Sequence, residues 1–207
     1  MLLKVISTGS QSGNCYALIA DNGEILLLDF GAKSPGTLLR GINYRIADVK
    51  AALLTRIHSD HSALYKWLLN SGIPIYTNDE TAEHFEIIGG EKMIAKPEKI
   101  PFEVGSYRIT PFYLPHDNTQ NFGFLIDLPN DSGRLLYATD FEYIPCTFKS
   151  LKINYFLLEC YHQSDLVDKS EAVNVAVAHA GMAVELSKYP FKEGMKLIIT
   201  QESMTHD

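Results

Sequence analysis

The chain has 207 residues, 46% of them hydrophobic and 21% charged, with a formal net charge of −7. That balance suits a single globular domain over residues 1–207 with a sizeable core, and the acidic sign without a basic stripe argues against a dedicated DNA-binding surface. No apolar run is long enough to cross a bilayer, the start "MLLKVISTGSQSGNCY" lacks the pattern of a signal peptide, and three scattered cysteines (Cys15, Cys146, Cys160) make no disulfide framework; a cytoplasmic protein with no membrane contact is expected.

In chain order, "LLKVIS" reads as a strand running into the small-residue loop "TGSQSGNCY". "YALIAD" and "EILLLDFG" read as strands around Asp21-Asn22-Gly23, an Asn-Gly hairpin signal. "SPGTLLRGIN" predicts a helix with Ser34 as N-cap and Pro35 in its first position. "VKAALLT" is a buried strand, "SALYKWLLNSG" a helix ending at Gly72, "IPIYTN" a strand and "DETAEHFEIIGG" a helix stopped by two glycines. From Val104 the character turns to β: "YRITPFYLPHD", "NFGFLIDLP", "GRLLYATDF" and "NYFLLECY" are expected strands. "SEAVNVAVAHAGMAVELSKY" is expected to be helical in its second half, and "KLIITQ" is a last strand. Strands in two groups with helices between them predict an α/β layered domain of two packed sheets.

Polar residues gather where strands end: Asp29, His58 to His61, His116, Asp140 and Glu159. In "LLTRIHSDHS", two imidazoles and a carboxylate within four residues suit a divalent ion, with imidazole favouring Zn, Fe or Ni and carboxylate adding affinity for Mn or Zn. The competing reading is a solvated helix start with Ser59 or Asp60 as cap. His116 in "FYLPHDN" and Asp140 in "LLYATDFEY", also at strand ends in a chain with seven histidines, tip the balance towards a site. Glu159 and Trp67 are expected to be structural, Cys15 a small buried thiol, His84 a surface or half-buried residue, and His162 a loop residue that either lines the pocket or is solvated.

The order "TGSQSGNCY", "LLLDFG", "LLTRIHSDHS", "PHD", "LLYATDFEY" resembles the metallo-β-lactamase superfamily, in its small phosphodiesterase-like and nuclease-like branch. The resemblance implies an αββα sandwich of two mixed sheets, with the site at one edge. It implies metal ligands at His58, Asp60, His61, His116 and Asp140, a structural role for Asp29, and a lining role for Ser10 to Asn14. It implies one or two divalent ions, Zn first with Mn or Fe as options; the departures from the family pattern, fewer neutral ligands and an added cation, predict reduced occupancy. The family pattern is His-x-His-x-Asp-His, and here Arg56 stands at its first histidine; Gln201 in "LIITQES" stands where a final histidine aligns, with His179 and His206 nearby as alternatives for that place, and His179 matches a histidine of the phosphodiesterase branch. The implied activity is metal-dependent hydrolysis of a phosphodiester in a small nucleotide or nucleic acid. Asp60 would orient the water and His179 would protonate the leaving oxygen.

Arginine stays protonated and offers no acceptor, so Arg56 cannot ligate an ion. It could pair with Asp140 and grip a substrate phosphate bidentately. It could instead mark a chain that has lost hydrolysis and binds a nucleotide or protein partner. An outward-facing arginine fits poorly after a buried strand. A small phosphorylated substrate is the expected partner, and a homodimer is compatible with the chain.

Overall fold

The structure, a computed structural model, describes residues 1–9, 11–89, 93–145, 147–148 and 150–160, together with three later strands; for residues 88–89, 159–160 and those three strands only the backbone is described. The described strands form two seven-stranded sheets. The first runs β13 (Ala183–Glu185), β1 (Leu2–Ser7), β2 (Cys15–Ile19), β3 (Ile25–Phe30), β4 (Val49–Leu53), β5 (Ile75–Thr77), β6 (Ile94–Ala95). The second runs β12 (Asn174–Ala178), β14 (Leu197–Glu202), β11 (Tyr155–Cys160), β10 (Arg134–Ala138), β9 (Asn121–Asp127), β8 (Tyr107–Leu114), β7 (Phe102–Val104). Each sheet is mixed: β13 to β3 and β10 to β7 pair antiparallel, whereas β3 to β6 and β12 to β10 pair parallel.

Strict alternation builds the layers, because successive side chains leave opposite faces of a strand. Leu3, Tyr16, Leu18, Leu26 and Leu28 of the first sheet meet Ile109, Phe124, Ile126, Leu135 and Tyr137 of the second in one buried cluster between the sheets. The opposite face of the first sheet, with Ala17, Ile25 and Leu27, is covered by helices α1 (Pro35–Ile42), α3 (Tyr65–Asn70) and α4 (Asp79–Gly89), through Leu38, Leu68 and Phe85. Trp67 packs into this layer, as expected. Among the described residues, the outer face of the second sheet is covered by the stretch after β10, through Phe141, Ile144, Phe148 and Leu151. Ser34 caps α1 by accepting from the Thr37 N–H at 3.2 Å.

Two expectations are corrected. The segment 62–72 is not one helix: a short α2 (Ser59–Ser62) precedes α3, and its N-cap is His58, with no side-chain cap bond from Ser59 or Asp60. Ala183–Glu185, expected within a helix, is a strand paired with Leu2, Leu3 and Lys4. There the sheet edge outweighs the helix propensity of alanine and glutamate. No helix among the described residues is long and apolar enough to cross a membrane.

Candidate metal centre

The polar strand ends meet at one end of the sandwich, and a fault in strand register starts the site. Cys15 pairs with Phe30 but Tyr16 with Leu28, so Asp29 is the extra residue of a β-bulge, with φ at 51°. Its carboxylate is fully buried and collects four donors. Thr55 gives its N–H at 2.9 Å and its hydroxyl at 3.0 Å, His61 its Nδ1 at 2.7 Å, and the Tyr137 hydroxyl donates at 2.7 Å. Asp29 thus takes the structural place the sequence implied for it.

Backbone contact sets the two neighbouring loops. The Asn14 N–H donates to the Asp60 carbonyl at 2.6 Å and the Gly31 N–H to the Asn14 carbonyl at 2.8 Å. A Cβ on Gly31 would lie 1.7 Å from the Asp60 carbonyl oxygen, and one on Gly13 1.7 Å from the Gly31 oxygen, so only glycine permits this approach. The Asn14 side chain accepts from the Gly9 N–H at 2.9 Å and lies 3.1 Å from His61 Nε2 through its amide nitrogen.

His61 is fully buried. With Nδ1 committed to Asp29, its Nε2 faces Asp140 at 2.7 Å and Asp60 at 3.5 Å. The ligand atoms of Asp60, His61 and Asp140 lie within 4.8 Å of one another, a grouping able to hold an ion. A carboxylate that fixes the far nitrogen of a ligating histidine is the usual support of a metal-bound imidazole. Burial opposes charge on the His61 ring, but the charge of Asp29 and bonds to Asp140, Asp29 and Asp60 outweigh it and raise its pKa well above the ordinary value. Burial likewise opposes ionisation of Asp60, yet the bond to His61 and the charges of His61 and Arg56 bring its carboxyl below the ordinary range. Asn121 steadies Asp140 by donating to its carbonyl at 2.8 Å and to that of Thr139 at 2.9 Å.

Arg56 is 4% exposed, and its Nη2 pairs with Asp140 Oδ2, the oxygen that His61 also meets. Its Nε and Nη1 are buried with no hydrogen-bond partner among the described residues. His58 and His116 sit beyond it, partly exposed, with ring centroids 6.0 Å apart. Burial and then the Arg56 charge hold both imidazoles below their ordinary pKa. His116 also lies 3.1 Å from Asp117, and its loop is tied to the Asp140 loop by the Glu142 N–H donating to the Pro115 carbonyl at 3.0 Å. Neither imidazole joins the Asp60–His61–Asp140 group.

Of the residues singled out in the sequence, His58, Asp60, His61, His116, Asp140, Arg56, Asp29 and Asn14 therefore converge. Gln201 lies in β14, its backbone level with Glu159 and Ala178 of the flanking strands; its side chain, His162, His179 and Ser10 lie outside the described residues. Cys15 is buried, and burial raises its thiol pKa. Sequence reasoning missed Thr55, Tyr137 and Asn121.

The sequence profile of the family described as the β-lactamase superfamily domain matches residues 29–185. The chain belongs to the metallo-β-lactamase superfamily. It is 25% identical over 174 residues to an exodeoxyribonuclease YycJ of Bacillus anthracis, covering 79% of this chain and 64% of that protein, so it spans less than two-thirds of that relative's length. The fold matches the metallo-β-lactamase fold protein YhfI of Bacillus subtilis with a TM-score of 0.67 at 20% identity, over 99% of this chain and 87% of that one. It also matches Igni18, a metallo hydrolase of the archaeon Ignicoccus hospitalis, with a TM-score of 0.59 at 15% identity, over 79% and 72% of the two chains.

Proposed function

We propose that this superfamily member is a metal-dependent phosphodiesterase acting on a small nucleotide or a nucleic-acid end in the cytoplasm. The observation that carries the reading is the grouping of the ligand atoms of Asp60, His61 and Asp140 within 4.8 Å of one another, with the His61 ring fixed by buried Asp29. An ion held there, Zn first and Mn or Fe as options, would supply Lewis acidity and a water of lowered pKa. The chain's own residues would do the rest. Asp29 presents the Nε2 lone pair of His61 to the site. Asp60, ionised and partly exposed, can accept a hydrogen bond from the attacking water and orient it. His58 and His116 stand at the open side, where they can donate to phosphoryl oxygens. His179 is the proposed proton donor to the leaving oxygen. The similarity to a protein named as an exodeoxyribonuclease supports the choice of a phosphodiester.

The test pairs metal analysis with hydrolysis of bis-(p-nitrophenyl) phosphate and of end-labelled single-stranded DNA, for wild type and His61→Ala. Wild type should retain metal and cleave, and the variant should lose both. A wild type that holds metal but cleaves no phosphodiester with Zn, Mn or Fe would instead favour a non-hydrolytic binder, a reading that the Arg56–Asp140 pair supports.

A further inference from the structure

Arg56 is buried against the candidate metal group, paired with its member Asp140. Its Nη2 is bonded to Asp140 Oδ2, the same oxygen that lies 2.7 Å from His61 Nε2. Its remaining nitrogens are sealed from solvent and carry no hydrogen bond among the described residues, although buried guanidinium groups are normally well paired. Such a group persists where its charge is needed more than its bonds, and the surroundings here are strongly anionic. Asp29, Asp60 and Asp140 bring three carboxylates to a small, mostly buried volume. Arg56 and a single divalent ion together supply three positive charges, which neutralises that set with His61 neutral. Two divalent ions beside the guanidinium would overshoot it by two charges in a low-dielectric setting, where like charges repel strongly.

The rest of the neighbourhood agrees. His58 and His116 face each other at a ring-centroid distance of 6.0 Å, yet neither joins the three-residue group able to hold an ion.

We infer that the centre takes one divalent ion, on Asp60, His61 and Asp140, and that Arg56 is a built-in second cation which excludes another ion from the His58–His116 side. Arg56 is thus a positioning residue. It holds Asp140 and supplies fixed charge, and sealed as it is, it does not grip substrate directly. The inference rests on the metal reading above and narrows it.

The test counts ions. Wild type, Arg56→His, Arg56→Gln, His58→Ala and His116→Ala are purified, equilibrated with excess zinc, desalted and analysed for metal. The same proteins loaded with cobalt(II) are examined by electron paramagnetic resonance for a spin-coupled pair. Wild type should hold about one ion per chain, and Arg56→His, which restores the His-x-His-x-Asp-His pattern, about two with a coupled cobalt signal. Arg56→Gln, which removes the charge but adds no ligand, should stay uncoupled. His58→Ala and His116→Ala in the wild-type background should keep the single ion, and in the Arg56→His background each should remove the second. Two coupled ions in wild type would overturn the inference and leave the metal reading standing. So would loss of the single ion in His58→Ala or His116→Ala, a result that decides the matter even if Arg56→His fails to fold. A folded Arg56→His that holds one ion would overturn the claim that Arg56 does the excluding. No ion in any of the proteins would overturn the metal reading itself, and this inference with it.

Discussion

The two sides of the centre are built differently. On the Asp29 side, every polar atom of the Asp29 carboxylate and of the His61 ring meets a partner, both residues are fully buried, and the partners come from four separate segments of chain. On the other side, His58 and His116 are partly exposed, belong to loops, and touch each other only at ring distance. The first side is part of the core and the second is part of the surface. A substitution on the first should therefore register as stability and ion affinity together, and one on the second as substrate handling alone.

Asp29→Ala should have the largest effect. It strands the Thr55 N–H, the Tyr137 hydroxyl and the His61 ring in a buried site, which should cost about 3–5 kcal/mol. Urea unfolding at neutral pH checks the stability, and zinc titration should show affinity reduced by about 10–100-fold. Equal stability to wild type would erase the distinction between the sides. Gly31→Ala comes next. Its Cβ would sit 1.7 Å from the Asp60 carbonyl oxygen, so the backbone must part, at about 1–3 kcal/mol with a weakened ion site. His116→Ala should move the unfolding midpoint little, by about 0.5 kcal/mol or less, while raising KM for a phosphodiester; a large loss of stability would show that the second side is core after all.

The smallest effect lies far from the centre and serves as a control for pH. Glu24 accepts from the Ser106 hydroxyl at 2.7 Å and from its N–H at 2.9 Å, tying a turn of one sheet to a turn of the other. The side-chain bond from Ser106 is the main reason its pKa lies below the ordinary carboxylate value. A depressed folded-state pKa stabilises the fold above the unfolded value and ceases to do so as pH falls through the folded one. The difference in melting temperature between wild type and Glu24→Gln should therefore be present at neutral pH and shrink as the solution is acidified below the ordinary carboxylate range. A constant difference would show that the bond does not depend on ionisation.

Much of the centre was legible because its chemistry sits at strand ends in a recognisable order, from Asp29 through "HSDH" to His116 and Asp140. What was not legible depends on register and approach. Nothing in "LLLDF" announces that Asp29 is the bulged residue, since that follows from where β2 slips against β3. Gly31 reads as the end of a strand, but its reason is the Asp60 backbone lying against it, a contact between segments far apart in sequence. Tyr137 reads as one core aromatic among many until its hydroxyl is found on Asp29. The helix expected around residue 184 failed for a related cause: local propensity says nothing of a free sheet edge waiting at Leu2–Lys4.

The strand order of the second sheet has a consequence for the growing chain on the ribosome. β11 and β12 follow one another in sequence but never pair, because β14 enters between them. From Cys160 to Leu197 the chain must emerge while β11, which flanks the strand leading to Asp140, keeps one edge open. At translation rates of 5–20 residues per second that interval lasts roughly 2–7 s. Throughout it, an apolar strand edge is available to any other extended chain. Recombinant yield should therefore respond to translation speed and to holdase chaperones more than the finished protein's stability would suggest.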